Sequence, residues 1–324
     1  MAFLSLGDIG FSKQAAKGTA PGTAFFWMPL SADSSKIKPT QKTVYDGLSR
    51  SARYNLLTGI SSAGDGTFLP TLPGMAKLLA LWAGGTDTVG GTVAPYTHNM
   101  ALASGDIPFV TVQRNFDSYG YCYNDLSAKI ESIDFSGKAN AEITAKVAWQ
   151  GLQPRTVAKT TASFDTETPL LTYNAAATIK QTSTTIGGQC TSWDLSFKQT
   201  LSVVMASGSL VPVDITPQVR AVTGKATVTA ENTDVLLTNI YGLSGTANPT
   251  GVQQTGSIDL LITSSTATHS LELKLAQVTF QTAEPAIAPD GKTLEIPITF
   301  VGLLSSGNDE ATLIAITGDV AAYS

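Results

Sequence analysis

Two short stretches of this chain share one unusual pattern of apolar and polar positions. In Lys129-Ile130-x-x-Ile133-x-Phe135, and again in Lys274-Leu275-x-x-Val278-x-Phe280, apolar residues hold one side of an alternating run and then change phase after two intervening positions. An extra residue in a strand, a β-bulge, has that effect. The copies lie 145 residues apart in a chain of 324, close to half its length, so the pattern predicts two related β units.

Period-two alternation marks the other long strands. Ala141, Ile143, Ala145, Val147 and Trp149 alternate with Glu142, Thr144, Lys146 and Gln150, and the first hairpin is predicted over 121–150. Trp193, Leu195, Phe197, Leu201 and Val203 alternate with Asp194, Ser196, Lys198, Thr200 and Ser202, and 223–230 is the predicted partner. Further strands are expected at 109–112 (an edge), 258–262, 271–302 (the second hairpin) and 311–317. Asp65-Gly66 and Asp290-Gly291 read as hairpin-type turns, and Gly137-Lys138 and Gly291-Lys292 as marking the turns of the two repeats.

Leu72, Met75, Leu79 and Trp82 have helical spacing, with Pro73 at the start and Gly84-Gly85 at the end, which predicts a helix over 72–83 packed by one face on a sheet. A second helix, capped by Asn232, is predicted at 233–241. Residues 1–24 read as an arm without periodicity, anchored by Phe25-Phe26-Trp27, and 153–167 as a linker. The expected division is therefore an arm (1–24), a first unit (25–155) and a second (168–324), with each unit holding its own core.

Composition narrows the function. Charged residues make up 14% and hydrophobic ones 43%, which suits polar sheet faces better than solvated helices. A net charge of −5 opposes a grip on nucleic acid, which requires cations against phosphates. The N-terminus lacks a basic segment and sustained apolar run, and no stretch has the length of a membrane span, so a soluble product made in a cytoplasm and without a membrane role is expected. Cys122 and Cys190 are expected to be free thiols, with a single bridge between the halves as the alternative. His98 and His269 lie far from any nucleophile or metal motif and are expected to be solvated. Catalytic, cofactor and metal sites are expected to be absent. Charges on strand faces (Glu142, Lys146, Asp194, Lys198, Glu272, Lys274) read as cross-strand partners or as the lining of a pore.

Long strands leave open edges, which a second copy can cover. At this point the chain resembles a known family, the major tail tube proteins of long-tailed (siphovirus-type) bacteriophages, in the form with two tube units per chain. The resemblance is carried by Lys13-Gln14 and Lys17-Gly18-Thr19 in the arm, by Phe68-Leu69-Pro70, Leu72-Pro73 and Leu78-Leu79 at the helix entry, and by the hairpin from Tyr121-Cys122 that contains Lys129 to Gly151.

It implies a mainly β fold: two tandem β-sandwich or barrel units, each with a flanking α-helix. It further implies a virion tail protein polymerised on a tape-measure protein between tail-tip and terminator proteins, with DNA passing through the lumen unbound. Six tube units per ring in that family imply three chains of this one; six chains, with the second half as outer decoration, is the alternative. The candidate lumen residues are Asp194, Ser196, Lys198, Thr200, Glu272 and Lys274. Candidate ring-to-ring contacts are Phe11, Gln14, Lys17, Phe25 and Phe26, with the loops at 84–95 and 242–256. A soluble carbohydrate binder or capsid decoration protein is the competing reading, and it requires Trp27, Trp82, Trp149 and Trp193 to be exposed.

Overall fold

The computed structural model describes residues 7–19, 21, 24–34, 36–45, 52–116, 121–181, 184–185, 189–229, 255–264, 269–283, 295–303 and 313–318. The predicted helix at 233–241, the Asp290-Gly291 turn and most of the loop at 242–256 lie outside these residues. The fold is mainly β and antiparallel, as the alternation requires.

The first half opens with β1 (Gly7–Lys13), β2 (Phe26–Trp27) and β3 (Leu30–Asp33), followed by a long hairpin of β4 (Lys36–Tyr45) and β5 (Ala52–Phe68). Next come α1 (Leu72–Ala83) and the pair β6 (Gly84–Gly90) and β7 (Tyr96–Leu102). This half closes with β8 (Val110–Phe116), β9 (Tyr121–Lys138), β10 (Thr144–Gly151) and β11 (Gln153–Val157). A short turn at Thr172–Asn174 leads into β12 (Ala175–Gln181), β13 (Thr184–Thr185) and a second long hairpin, β14 (Cys190–Val204) with β15 (Asp214–Thr229). The remaining strands are β16 (Thr255–Thr263), β17 (Ser270–Ala283), β18 (Glu295–Gly302) and β19 (Leu313–Gly318).

Both anticipated bulges are present, at matching places. Along β9 the partners in β10 slip between Ala148, opposite Ser132, and Trp149, opposite Ile130. Along β17 the partners in β16 slip between Gly256, opposite Val278, and Ile258, opposite Leu275. The slip keeps Ile130, Ile133 and Phe135 buried in one copy and Leu275, Val278 and Phe280 buried in the other, which is why each sequence changes phase there. In both copies the long strand pairs first with the return strand of its hairpin (β10, β18) and then, beyond the bulge, with the next strand (β11, β19).

A larger repeat is visible only in the registers. Lys36 pairs with Ala63 as Ser196 pairs with Thr223, and Thr43 with Asn55 as Val203 with Ile215, each 160 residues later. The slips coincide too, at Thr40/Gln41 and Gln199/Leu201, and at Leu30/Ala32 and Cys190/Ser192. The segment β3–β4 with β5 is thus the structural twin of β14 with β15. The two units join edge to edge: β14 lies antiparallel on β9, with Lys198 opposite Ser132 and Ser192 opposite Lys138. One continuous sheet follows, in the order β4, β5, β10, β9, β14, β15, β18, β17.

Buried residues of both halves form one apolar cluster, where separate cores were expected. The reason is α1, which is buried on almost all sides and packs on β9 and β17 alike. Its Trp82 meets Phe197 of β14 edge-on at 5.2 Å between ring centroids. The helix starts as predicted, with the Thr71 side chain accepting from the Gly74 N–H, and ends at Gly84 in the left-handed region (φ 64°).

Several sequence expectations change. The arm is a strand from Gly7 onward: β1 pairs along the whole of β8, so β8 is an interior strand and not an edge. Phe11 anchors it, stacked on Phe26 at 5.7 Å and edge-on to Trp149 at 5.8 Å. The expected linker is bonded to the first half, through β11 on β9 and through the Ala158 and Thr160 carbonyls, which accept from Gln113 and Asn115. Asp65-Gly66 is mid-strand and not a turn; a side chain at position 66 would lie 2.9 Å from the Phe68 ring. Gly137 answers to the Trp193 indole, 2.7 Å from where its Cβ would be, while the reversal itself uses Asn140 at φ 63°.

Candidate functional site

Strand alternation gives the eight-stranded sheet one apolar face, under α1, and one wet face. Near the middle of the wet face is a trough shared by the two halves. It is lined by Asp134 and Ser136 of β9, Thr144 and Lys146 of β10, Asp194 and Ser196 of β14, Thr223 and Lys225 of β15, Thr299 of β18 and Gln281 of β17. The joint of β9 with β14 places the Asp134 carboxylate, which accepts from the Ser196 hydroxyl, beside Asp194. Ser136 Oγ and Thr144 Oγ1 share a hydrogen bond of 2.7 Å.

Charges along this face are interleaved. Lys146 Nζ lies 3.1 Å from Asp65 Oδ2, and the Asp65 carboxyl also accepts from Ser34 Oγ. The Ser34 hydrogen bond first, then Lys146, hold that carboxyl below its ordinary value of 3.8. Two carboxylates (Asp134, Asp194) and two ammonium groups (Lys146, Lys225) line the trough, so its formal charge sums to zero. Such a surface offers hydroxyls and paired charges to a polyanion, with no cluster of cations to hold it.

Of the lumen candidates, Asp194 and Ser196 line this trough, and Lys198 and Thr200 follow on the exposed side of β14. Glu272 and Lys274 lie on the wet side of β17 beyond its bulge, where the neighbours are β16 and β19. Sequence reasoning left out Asp134, Ser136, Lys225, Thr299 and Gln281. The signal for Asp134 and Ser136 was their polar phase against Ile133 and Phe135.

Of the ring-contact candidates, Phe11 is fully buried and Gln14 donates to Thr111 Oγ1 at 2.8 Å inside the chain. Neither side chain is at the surface, because β1 is a core strand. Phe25 and Phe26 are half-buried. Lys17 is exposed, and its Nζ donates to the Val213 carbonyl and to Asp214, 3.2 Å away, at the far end of the second hairpin. The segment 84–95 contains β6, whose outer residues are exposed.

Among the described residues, exposed large apolar side chains gather on the far ends of the two long hairpins. Tyr45, Tyr54, Leu56 and Leu57 mark the first, and Met205, Leu210 and Val219 the second. Alternation over 193–203 located a strand of the second hairpin without showing how far both hairpins outrun the core.

The histidines are not solvated. His98 is wholly buried on β7 with Nδ1 2.9 Å from Asp87, and His269 Nδ1 is 2.6 Å from Glu167. Both cysteines are free, and burial pushes the Cys190 thiol up. All four tryptophans are buried, so none forms the exposed platform that a sugar-binding reading requires.

No curated protein matches the sequence. A family model described as phage tail tube protein matches residues 5–302.

Proposed function

The chain belongs to the phage tail tube protein family and is a structural protein of the virion tail; from that premise we propose that three copies close into a ring, with two tube units each. The rings stack into a hollow tube whose lumen is the wet face of the eight-stranded sheet, and α1 lies on the outer side. One observation carries this reading: a single sheet, continuous across both repeats, has α1 on one face and a charge-balanced polar trough on the other. DNA passes along such a wall because hydroxyls and paired charges give phosphates little to release counterions against.

The exposed apolar hairpin ends, with Lys17 beside the second, are the ring-to-ring contacts, in place of Phe11 and Gln14. A long apolar hairpin in water is a liability that a stacked neighbour removes. Tape-measure, tail-tip and terminator proteins are the partners that set where such a tube starts and stops. Electron microscopy of the purified chain tests the reading: tubes or rings with a threefold repeat are expected. Persistent single particles at high concentration, or a ring of six chains, refute it.

A further inference from the structure

Strand alternation puts Arg114 where a charge is costly. It stands opposite Ile9 in the β1–β8 pair and shares that residue's inward face, so the guanidinium lies inside the fold, 1% exposed. Part of it is satisfied: Nη2 donates to Asp125 Oδ1 at 3.0 Å, and Cζ stands 3.9 Å from the centroid of the Tyr123 ring. Asp125 is committed in turn, its other oxygen accepting from Trp149 Nε1 at 2.9 Å. Arg114 Nε and Nη1 have no hydrogen-bond partner. Buried donors of this kind are unfavourable until something accepts from them, which makes them a signal for a ligand.

The opposite wall carries the complement. Asp33 of β3 pairs with Gly66 of β5, and Gly66 is on the inward side, since a side chain there would lie 3.5 Å from Ile9 Cδ1. Asp33 therefore stands in the inward phase of its strand, on the side of Arg114. The two residues line one cavity of about 290 Å³, together with Asp8, Ile9, Leu30 and Phe116. Asp33 is exposed and Arg114 buried, so the cavity joins solvent to the guanidinium between partly apolar walls. At ~30 Å³ per water it has room for roughly ten waters, enough for a free amino acid.

We propose that this cavity binds a small zwitterion, an α-amino acid with an apolar side chain. The ligand's carboxylate accepts from the Arg114 guanidinium, its ammonium donates to Asp33, and its side chain lies against Leu30 and Phe116. Charge selects the class. The Arg114 charge is already matched by Asp125, so Asp8 and Asp33 leave the cavity acidic, and phosphate or a bare carboxylate is repelled. An amine alone would leave the Arg114 nitrogens unmade. A zwitterion supplies both partners, and a carboxylate has about four lone-pair sites, so Asp33 accepts the ammonium alongside its other contacts. The bound ligand ties β3 to β8 and stabilises the folded chain in proportion to its occupancy. The inference goes beyond the tube reading and does not depend on it.

Saturation-transfer NMR of the purified full chain with L-leucine tests the site. Acetate and 3-methylbutylamine are the two halves of the recognition, and inorganic phosphate is the probe for a simple anion. Leucine should receive saturation and shift the Arg114 Nε–H signal, with a Kd on the order of 1 mM for so few contacts. The halves and phosphate should bind at least about tenfold more weakly, as should leucine to the Asp33→Asn chain, whose changed side chain is exposed and leaves the fold intact. Arg114→Lys identifies the Nε–H signal and should lose leucine; if that variant does not fold, Asp33→Asn with wild-type spectra still decides. No transfer to leucine, acetate or phosphate shifting the Arg114 signal as strongly as leucine does, or undiminished binding to Asp33→Asn each overturns the proposal. Electron microscopy of the same preparation reads tube formation separately.

Discussion

Replacing Phe197 by alanine probes whether the two repeats are one cooperative unit. Phe197 sits at the joint of β9 with β14, edge-on to Trp82 at 5.2 Å and to Phe135 at 6.2 Å between centroids, and no part of it reaches solvent. Its two ring neighbours come from α1 and β9, so removing the ring leaves a cavity that α1, packed on both β9 and β17, cannot collapse to fill. Truncation of such a phenylalanine costs about 3–5 kcal/mol. A chain of 324 residues has an unfolding entropy that turns each kcal/mol into roughly 1.5 °C, so Tm should fall by about 4–7 °C. Calorimetry and urea unfolding of the unassembled chain, followed by tryptophan emission, provide the assay. A single transition that moves as a whole is expected, since the shared core makes both halves lose the same support. Two transitions, of which the mutation shifts only one, would refute the claim of one core.

Other outcomes follow from the same geometry. Asp194→Lys turns the balanced trough positive; tubes should still form and genome delivery should slow, and normal infectivity with unchanged kinetics would count against a lumenal Asp194. Ser34→Ala should let the Asp65 carboxyl rise toward 3.8, as read by carbonyl NMR titration. Because its folded value is depressed, the stability linked to Asp65 is present above the unfolded value and is lost as pH falls through the folded one, so the variant should lose less stability on acidification below about pH 4. Gly137→Ala would drive a methyl toward the Trp193 ring at 2.7 Å, and the urea midpoint should drop by an amount equivalent to about 1–3 kcal/mol at unchanged slope.

The bulged motifs were legible because their phase change is written in large apolar residues, Ile130 and Ile133 against Leu275 and Val278. The helix was legible for a similar reason: proline, spacing and closing glycine agree at Pro73, Met75, Leu79 and Gly84, while the Thr71 cap shows only in the structure. The hairpin repeat was hidden, since twins such as Lys36 and Ser196, or Ile37 and Phe197, share a register and not a side-chain type. That difference has a physical source: β14 is flanked by strands of its own chain on both edges, β9 and β15, while among the described residues β4 pairs only with β5. Asp65-Gly66 misled because a glycine demanded by a neighbouring ring looks, in sequence, like one demanded by a turn. His98 and Asp87 are eleven positions apart and meet only because β6 and β7 pair, a contact that alternation alone does not forecast. The trough was half legible: alternation identified the wet side of β14, while its neighbours depended on which strands came to lie alongside.

Tethering the second repeat to the first has a kinetic meaning. The β9–β14 contact forms at a local concentration fixed by the segment between them, on the order of millimolar for short connections, however dilute the chain is in an infected cell. Half of the lateral contacts in a threefold closed ring would then be settled before two molecules ever meet, and closing it would be a reaction of lower order than one built from separate repeats.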